Sequence, residues 1–294
     1  MYKKLIDKIV WWIPFKNIRN LIRMILINLL YISDINKKIS DIDKKISNIT
    51  NNIIIVGFTD IANYNNIKNY KYDLIFSIGE NCFTAYILSK NNLRKKSYPF
   101  DWVTPWDSTN NNIINNLEII RNRFRNFFNK EDLKFASKGE GLHDVYFNNN
   151  TYLYYPHDFS CNTEFDIGYV ENFNKYSKRI NRLVKELESN KKILMVYIEH
   201  YKLENNFIDI NTIINYLNDI RKLYNNNDIY LLYIKHSYYI NDEKIYFKNI
   251  DDKIHMYLLD NSFDYNNHTE DLSLWCNNFQ KINKILSMYN LIND

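Results

Sequence analysis

The sequence predicts an α/β fold: a mostly parallel sheet with helices on both faces, preceded by an N-terminal amphipathic and short coiled-coil helical segment. Two observations support this class. Through the C-terminal half, short apolar runs alternate with amphipathic stretches, which is typical of parallel strands covered on both faces. In the N-terminal part, isoleucines recur at spacings of three and four, which indicates helix. We therefore predict a helical segment over 1-55 and an α/β globular domain over 70-294.

Composition limits the classes of function. The chain has 294 residues, 46% of them hydrophobic and 16% aromatic, which favours a folded protein. The net charge of +4 is too small to indicate a nucleic-acid footprint, so no nucleic-acid partner is expected. The three cysteines are far apart, which indicates neither a disulfide framework nor a zinc site. No dinucleotide or P-loop motif is present, so we predict no cofactor and no metal.

The first 32 residues form an amphipathic pattern. An aromatic patch at Trp11 and Trp12 is followed by Lys16, Arg19 and Arg23 among regularly spaced apolar residues. This pattern predicts peripheral contact of residues 1-32 with an anionic membrane, and docking on the globular domain is the alternative. No apolar run approaches the roughly 20 residues that cross a bilayer. No cleavable signal is convincing, so we expect a cytoplasmic protein, peripheral at the inner membrane face.

Residues 33-53 continue with isoleucines at alternating spacings of four and three, which is a heptad seam. The seam predicts a homodimer through 33-53. The preceding stretch from Trp11 to Arg19 resembles the leader found before some bacterial surface-polysaccharide glycosyltransferases, which implies an envelope-assembly context.

The globular domain begins with a strand, a tight turn and a helix. Leu74 to Ile78 is predicted as a strand, and a helix is predicted over 82-91 with Cys82 at its start. The unpaired N–H groups at a helix N-terminus lower a thiol pKa, so Cys82 is a candidate nucleophile. The alternative is a small buried cysteine with no chemistry.

The rest of the chain supplies the expected layers. The loop from 95 to 106 carries Phe100, Asp101 and Trp102, which form either a core plug or the wall of a pocket. Two aromatic runs around the Asn148–Asn150 turn predict a hairpin. The predicted helices cover 110-130, 172-189, 210-224 and 271-289, and the further strands cover 193-198, 229-234 and 254-259.

Several motifs together resemble a known family. They are Ser77-Ile78-Gly79-Glu80-Asn81-Cys82, Leu93-Arg94, Pro99-Phe100-Asp101-Trp102, His157-Asp158-Phe159 and Tyr176-Ser177-Lys178-Arg179. They are similar to a bacterial and viral family of unknown function labelled papain-like cysteine peptidase. The resemblance implies a Cys-His site with Cys82 as nucleophile and His157 as base, acting on a peptide or acyl substrate.

Other residues could complete such a site. Backbone N–H groups from Asn81 to Phe83, with the Asn81 amide, are candidates for holding an oxyanion. Asp158 adjoins His157 and on an extended segment points the opposite way, so Asp101 or Glu199 is the better group to orient the imidazole.

The predicted strands offer a second constellation. Polar residues follow the strands at Cys82, Glu199, His236 and Asp260, and the carboxyl ends of parallel strands meet at one edge of a sheet. His236 would then replace His157 as the base. Papain-like folds are built around an antiparallel sheet, so the family label and the predicted parallel sheet conflict. We therefore expect a cysteine-dependent hydrolase or acyl transferase, or else a non-peptidase factor of cell-envelope polysaccharide assembly.

Overall fold

The computed structural model describes residues 15–54, 57–63, 69–105, 112–139, 143–199, 209–237, 243–260 and 278–292, and single positions at Ile6, Val10 and Ile240. At 43, 44, 46–54 and 63 it describes the backbone alone. The chain divides into two compact units, Met1–Val56 and Gly57–Asp294. The predicted domain ranges, 1-55 and 70-294, stay predictions.

The first unit contains one long helix, α1 (Lys16–Ile54). The two predicted helical segments are therefore continuous, because no proline or glycine interrupts the sequence between them. Many of its large apolar side chains are exposed, including Ile25, Leu29 and Ile32. Coiled-coil pairing through 33-53 is not confirmed, and it stays a prediction together with the membrane contact of 1-32. In the described ranges, no helix is both long and apolar enough to cross a membrane.

The second unit is built on a six-stranded sheet with the strand order β1-β10-β11-β9-β8-β3. A four-stranded sheet has the order β4-β7-β6-β5, and β12 pairs with β2. The strands are β1 (Thr59–Asp60), β2 (Tyr70–Tyr72), β3 (Leu74–Ser77), β4 (Thr104–Pro105), β5 (Leu133–Lys138), β6 (His143–Asn148), β7 (Leu153–Ser160), β8 (Ile193–Ile198), β9 (Ile229–Ser237), β10 (Tyr246–Ile250), β11 (Ile254–Asp260) and β12 (Tyr289–Leu291).

The α/β class is confirmed, but the mostly parallel sheet is not. In the large sheet β3, β8, β9 and β11 are parallel, whereas β10 and β1 join antiparallel. The four-stranded sheet is antiparallel throughout. The apolar runs correctly located the parallel strands. The prediction missed β10, which reverses into β11 through Asp251 and Asp252, both left-handed with φ of 46° and 59°.

The helices of this unit are α2 (Cys82–Lys90), α3 (Asn112–Arg121), α4 (Phe165–Leu187), α5 (Ile210–Leu223) and α6 (Phe279–Leu286). The helix predicted over 110-130 ends at Arg121 because Arg123 and Phe124 have positive φ, 54° and 59°. The helix predicted over 172-189 begins earlier, at Phe165. The first part of the predicted 271-289 helix lies outside the described residues.

Alternate side chains of β8 enter two different cores, which shows that both faces of the large sheet are covered. Ile193, Met195 and Tyr197 belong to a core shared with α3, α4, α5 and the four-stranded sheet. Leu194, Val196 and Ile198 belong to a core shared with α2, α6 and β2. The face of the large sheet that packs against the first core is called the broad face below, and the face that packs against the second core is called the α2 face.

Candidate functional site

A strand, a buried turn and a helix hold Cys82 at the carboxyl end of a parallel strand. β3 ends shortly before α2, and α2 begins at Cys82. The Asn81 side-chain oxygen accepts a hydrogen bond of 2.9 Å from the backbone N–H of Phe83, which caps the helix. A Cβ at Gly79 would lie 2.0 Å from Thr84 Oγ1, so the turn can approach the helix this closely only at a glycine.

Burial and the start of the helix act on the Cys82 thiol in opposite directions. Burial raises the thiol pKa above its ordinary value, and a hydrogen bond from the residue's own backbone N–H lowers it by less. The expectation of a depressed pKa is therefore wrong for the free protein. No histidine in the described part of the chain forms a hydrogen bond with this sulfur. A base must take the proton before Cys82 can attack a substrate.

Next to Cys82, a buried carboxylate links two of the parallel strands. Glu80 is 3% exposed, and its Oε1 accepts a hydrogen bond of 2.6 Å from the Tyr197 hydroxyl on β8. Asn112 Nδ2, at the start of α3, donates to the same oxygen at 3.3 Å. A carboxylate withdrawn from water needs such donors. The turn is thus joined to the broad face of the sheet.

A second carboxylate lies at the end of β8. Glu199 Oε2 accepts a hydrogen bond of 3.1 Å from the Tyr233 hydroxyl, and Lys235 Nζ lies 3.7 Å from the same oxygen. The pKa of Glu199 is raised to about 7: burial is the largest cause, Lys235 lowers the pKa, and the negative charge of Glu80 raises it. Glu80 and Glu199 therefore interact electrostatically, and Glu199 titrates near neutral pH.

His236 lies near the end of β9, and a hydrogen bond fixes its ring. Its Nδ1 is 2.9 Å from the backbone carbonyl oxygen of Glu199. A carbonyl oxygen only accepts, so Nδ1 carries the proton and Nε2 is the basic nitrogen of the neutral ring. Leu232 and Ile234, which alternate with His236 on β9, belong to the α2 face. The His236 ring therefore lies on the same side of the sheet as α2.

His157 occupies a different kind of position, on the antiparallel sheet. Tyr146 pairs with Tyr155 while Asp144 pairs with Phe159, so β7 has two extra residues in a bulge around His157. The bulge leaves His157 exposed between two buried aromatic residues.

The neighbours of His157 are aromatic rings. The Trp102 ring lies 6.0 Å away and the His143 ring 6.4 Å away, both edge-on. Desolvation lowers the His157 pKa, Asp158 raises it, and His143 lowers it. No hydrogen bond fixes this ring within the described ranges.

Asp158 points away from His157, as the alternation of strand residues indicates. Its carboxylate accepts a hydrogen bond of 2.7 Å from the Tyr176 hydroxyl and forms an ion pair with Lys175. Its carbonyl oxygen accepts from Asn172 Nδ2. Asp158 therefore ties β7 to α4 and leaves His157 without a carboxylate orienter on its own strand.

Asp101 is committed to Arg94. The two form an ion pair of 2.7 Å, and the backbone N–H of Tyr98 donates to the same carboxylate oxygen at 2.8 Å. Burial raises the Asp101 pKa, and Arg94 lowers it by less. Phe100 lies in the core and contacts Phe124 at a centroid distance of 5.7 Å, whereas Trp102 is 40% exposed. The structure therefore does not bring Asp101 to a histidine.

Asp260 ends β11, beyond β9 in the sheet. Its carboxylate forms an ion pair of 2.5 Å with Lys281, and its carbonyl accepts from Asn278 Nδ2 at 2.7 Å. Asn261 and His200, which directly follow Asp260 and Glu199 in the sequence, lie outside the described residues. Of the predicted constellation, the structure joins His236 to the backbone carbonyl of Glu199, and the Glu199 carboxylate is affected by the charge of Glu80 in the turn that leads to Cys82.

The sequence interpretation missed three members of this network. Glu80, Tyr197 and Tyr233 were not considered as site residues. The available signal was the spacing of the two tyrosines, since each lies in an aliphatic strand and precedes a charged residue, Glu199 or Lys235, by two positions. Among the described residues, no group of three or more His, Cys, Asp or Glu side chains could hold a metal ion.

The fold and this strand-end cysteine define an α/β protein with a candidate thiol site. Residues 73–237, more than half of the chain, match the family described as "Putative papain-like cysteine peptidase (DUF1796)", and the chain belongs to that family. The resemblance seen in the motifs is thereby confirmed.

One protein that is similar to this chain comes from a virus. The chain is 30% identical over 139 residues to an uncharacterized protein of Acanthamoeba polyphaga mimivirus, a match that covers 42% of this chain and 60% of the relative. The match thus spans less than two thirds of that relative. No solved structure matches the chain.

Proposed function

We propose that this protein is a cysteine-dependent hydrolase or acyl transferase that acts on a peptide or other acyl substrate, with Cys82 as the nucleophile. One observation carries the proposal: Cys82 lies in the first turn of α2, beyond the carboxyl end of β3, and the Glu199 carbonyl orients the His236 ring near the carboxyl end of the parallel strand β9. Membership of a family labelled as a cysteine peptidase supports the same reaction class.

We assign the role of general base to His236. Its ring lies on the α2 face, and the Glu199 carbonyl fixes Nδ1 as the protonated nitrogen, which leaves Nε2 as the acceptor. His157, the base that the family resemblance implied, is exposed on the other sheet and has no such orienting bond from any residue that the structure describes. It is the second candidate.

The reaction follows from these roles. His236 Nε2 takes the thiol proton, and the Cys82 sulfur forms a bond to the acyl carbon of the substrate. The bond to the leaving amine or alcohol then breaks, and the leaving group takes the proton from Nε2. Water, or an acceptor nucleophile, then attacks the thioester with loss of its proton to Nε2. The carbon–sulfur bond of the thioester then breaks, and the released Cys82 sulfur takes that proton back from Nε2, which restores the thiol.

The Asn81 side chain has a structural role in this scheme. Its oxygen accepts from the Phe83 N–H, so that N–H is not available to an oxyanion. Asn81 therefore positions Cys82 by fixing the start of α2. The envelope-assembly alternative has no observation in its favour within the described residues and stays a prediction.

The proposal is tested with p-nitrophenyl acetate as a non-specific acyl donor. The full chain is mixed with the ester, quenched in acid, digested, and the acetylated cysteines are quantified by mass spectrometry. Cys161 is exposed and serves as an internal reference, because accessibility alone would favour it over the partly buried Cys82.

We expect acetyl transfer to Cys82 at least about tenfold faster than to Cys161, since base assistance contributes two or more orders of magnitude. Cys82→Ser should remove the fast phase, and the matched Cys161→Ser variant should retain it. Faster acetylation of Cys161 in the wild-type chain would overturn the proposal.

A further inference from the structure

A second site is suggested by a strongly basic groove. The groove has a volume of about 750 Å³ and lies between α4 and the loop at Lys96 and Ser97. Its size falls within the range of small-molecule sites. Its charged lining residues are Lys96, Lys175, Lys178, Arg179 and Arg182, against one carboxylate, Glu171. The lining thus carries a formal charge of +4, equal to the net charge of the entire chain.

The wall of the groove is fixed by hydrogen bonds. Arg182 Nη1 donates to the Ser97 carbonyl oxygen at 3.0 Å, which ties the loop to α4. Arg94 Nη2 donates to Ser97 Oγ at 2.9 Å and also forms the ion pair with buried Asp101. The loop is therefore anchored on two sides, and the groove has a defined shape.

The cations on α4 repel one another without a ligand. Lys175, Lys178, Arg179 and Arg182 follow at spacings of three, one and three, so they share one helix face, and like charges at these spacings destabilise a helix. Lys175 has Asp158 as an ion-pair partner. Arg179 lies 5.6 Å from the Tyr176 ring, and its Nη1 is buried without a hydrogen-bond acceptor in the described part of the chain. This guanidinium N–H is therefore a donor that can take an oxygen acceptor.

We propose that this groove binds a small soluble compound that carries two or more phosphate groups. Cations on both the helix and the loop can contact separate phosphates, and guanidinium groups match phosphate oxygens in a bidentate geometry. The groove adjoins the loop that follows the C-terminal end of α2, whereas Cys82 lies at its N-terminal end. The proposed site is therefore distinct from the proposed nucleophile.

Inorganic pyrophosphate is the probe, titrated into the full chain by isothermal calorimetry at constant ionic strength. Orthophosphate and citrate are titrated in parallel. The test variant is Lys96→Gln/Lys178→Gln, because both side chains are exposed and their loss leaves the buried contacts intact. The matched control is Lys222→Gln, an exposed lysine on α5 outside the groove.

We expect pyrophosphate to bind at one site, at least about tenfold tighter than orthophosphate or citrate, and to lose at least about tenfold in affinity in the double variant. Lys222→Gln should change the affinity less than about twofold, the effect of a distant screened charge. The proposal is overturned by equal binding of citrate, by an equal loss in Lys222→Gln, or by the absence of binding at millimolar pyrophosphate.

Discussion

Two regions of the protein each present a histidine, and they differ in what holds the ring. His236 lies on the parallel part of the large sheet, and its Nδ1 bonds to the Glu199 carbonyl at 2.9 Å. His157 lies on a bulge of the antiparallel sheet, exposed and flanked by the Trp102 and His143 rings. The family motif indicates His157 as the general base, whereas the hydrogen bond that fixes the position of the ring proton indicates His236. A general base needs an oriented lone pair, so we give greater weight to the orienting bond.

The first prediction uses Glu199, whose backbone carbonyl is bonded to His236. Its folded pKa is about 7 against an ordinary value of 4.5, so the folded state binds a proton that the unfolded state releases over this interval. Stability from Glu199 is complete below pH 4.5 and is lost as the pH rises to about 7. The difference amounts to about 3 kcal/mol in the free energy of unfolding.

Urea unfolding at a series of pH values measures this effect. Glu199→Gln should flatten the decline in the free energy of unfolding between pH 4.5 and 7. Glu131→Gln, an exposed carboxylate beside the antiparallel sheet, is the matched control and should retain the decline. If Glu199→Gln keeps the wild-type slope, the pKa of Glu199 is not raised as described.

The second prediction compares a glycine beside Cys82 with a glycine beside β7. Gly79→Ala would place a Cβ 2.0 Å from Thr84 Oγ1 and 2.5 Å from Thr84 Cβ, so the turn or α2 must shift. We expect a loss of about 2 kcal/mol in the free energy of unfolding, typical of overpacking. At Gly168, on α4, the nearest side-chain atom is Phe159 Cδ1 at 3.4 Å, an ordinary contact.

Gly168→Ala is therefore the control, and it should leave stability unchanged or raise it by up to about 1 kcal/mol, the helix propensity of alanine over glycine. Chemical denaturation measures the free energy of unfolding of both variants. Equal stabilities of the two variants would contradict the close packing of the Cys82 turn.

The parallel strands could be predicted because burial on both faces leaves a continuous apolar run, as in Ile193–Ile198. The strand β10, which lies between β1 and β11, could not, because its Tyr-Phe-Lys-Asn-Ile sequence is short and it pairs with β11 through left-handed aspartates that no local preference requires. The β6–β7 hairpin was predicted from its asparagine turn and is confirmed. Its bulge was not predicted, since nothing in the sequence marks the two extra residues.

The candidate site was predictable in part. The position of Cys82 at the start of a helix follows from the apolar run, Gly79 and the Asn81 cap. The pKa of the thiol does not, because desolvation depends on how the turn packs against distant strands. The ion pair of Asp101 with Arg94 was not predicted either, although the two residues are close in the sequence.

The most direct test of the central claim compares two variants in the acetylation experiment. His236→Gln keeps a donor for the Glu199 carbonyl but provides no basic nitrogen, and His157→Gln makes the same change on the other sheet. We predict that His236→Gln slows acetylation of Cys82 about a hundredfold or more, whereas His157→Gln changes it by less than about threefold. A large loss in His157→Gln with a normal rate in His236→Gln would contradict the account and assign the base to the antiparallel sheet.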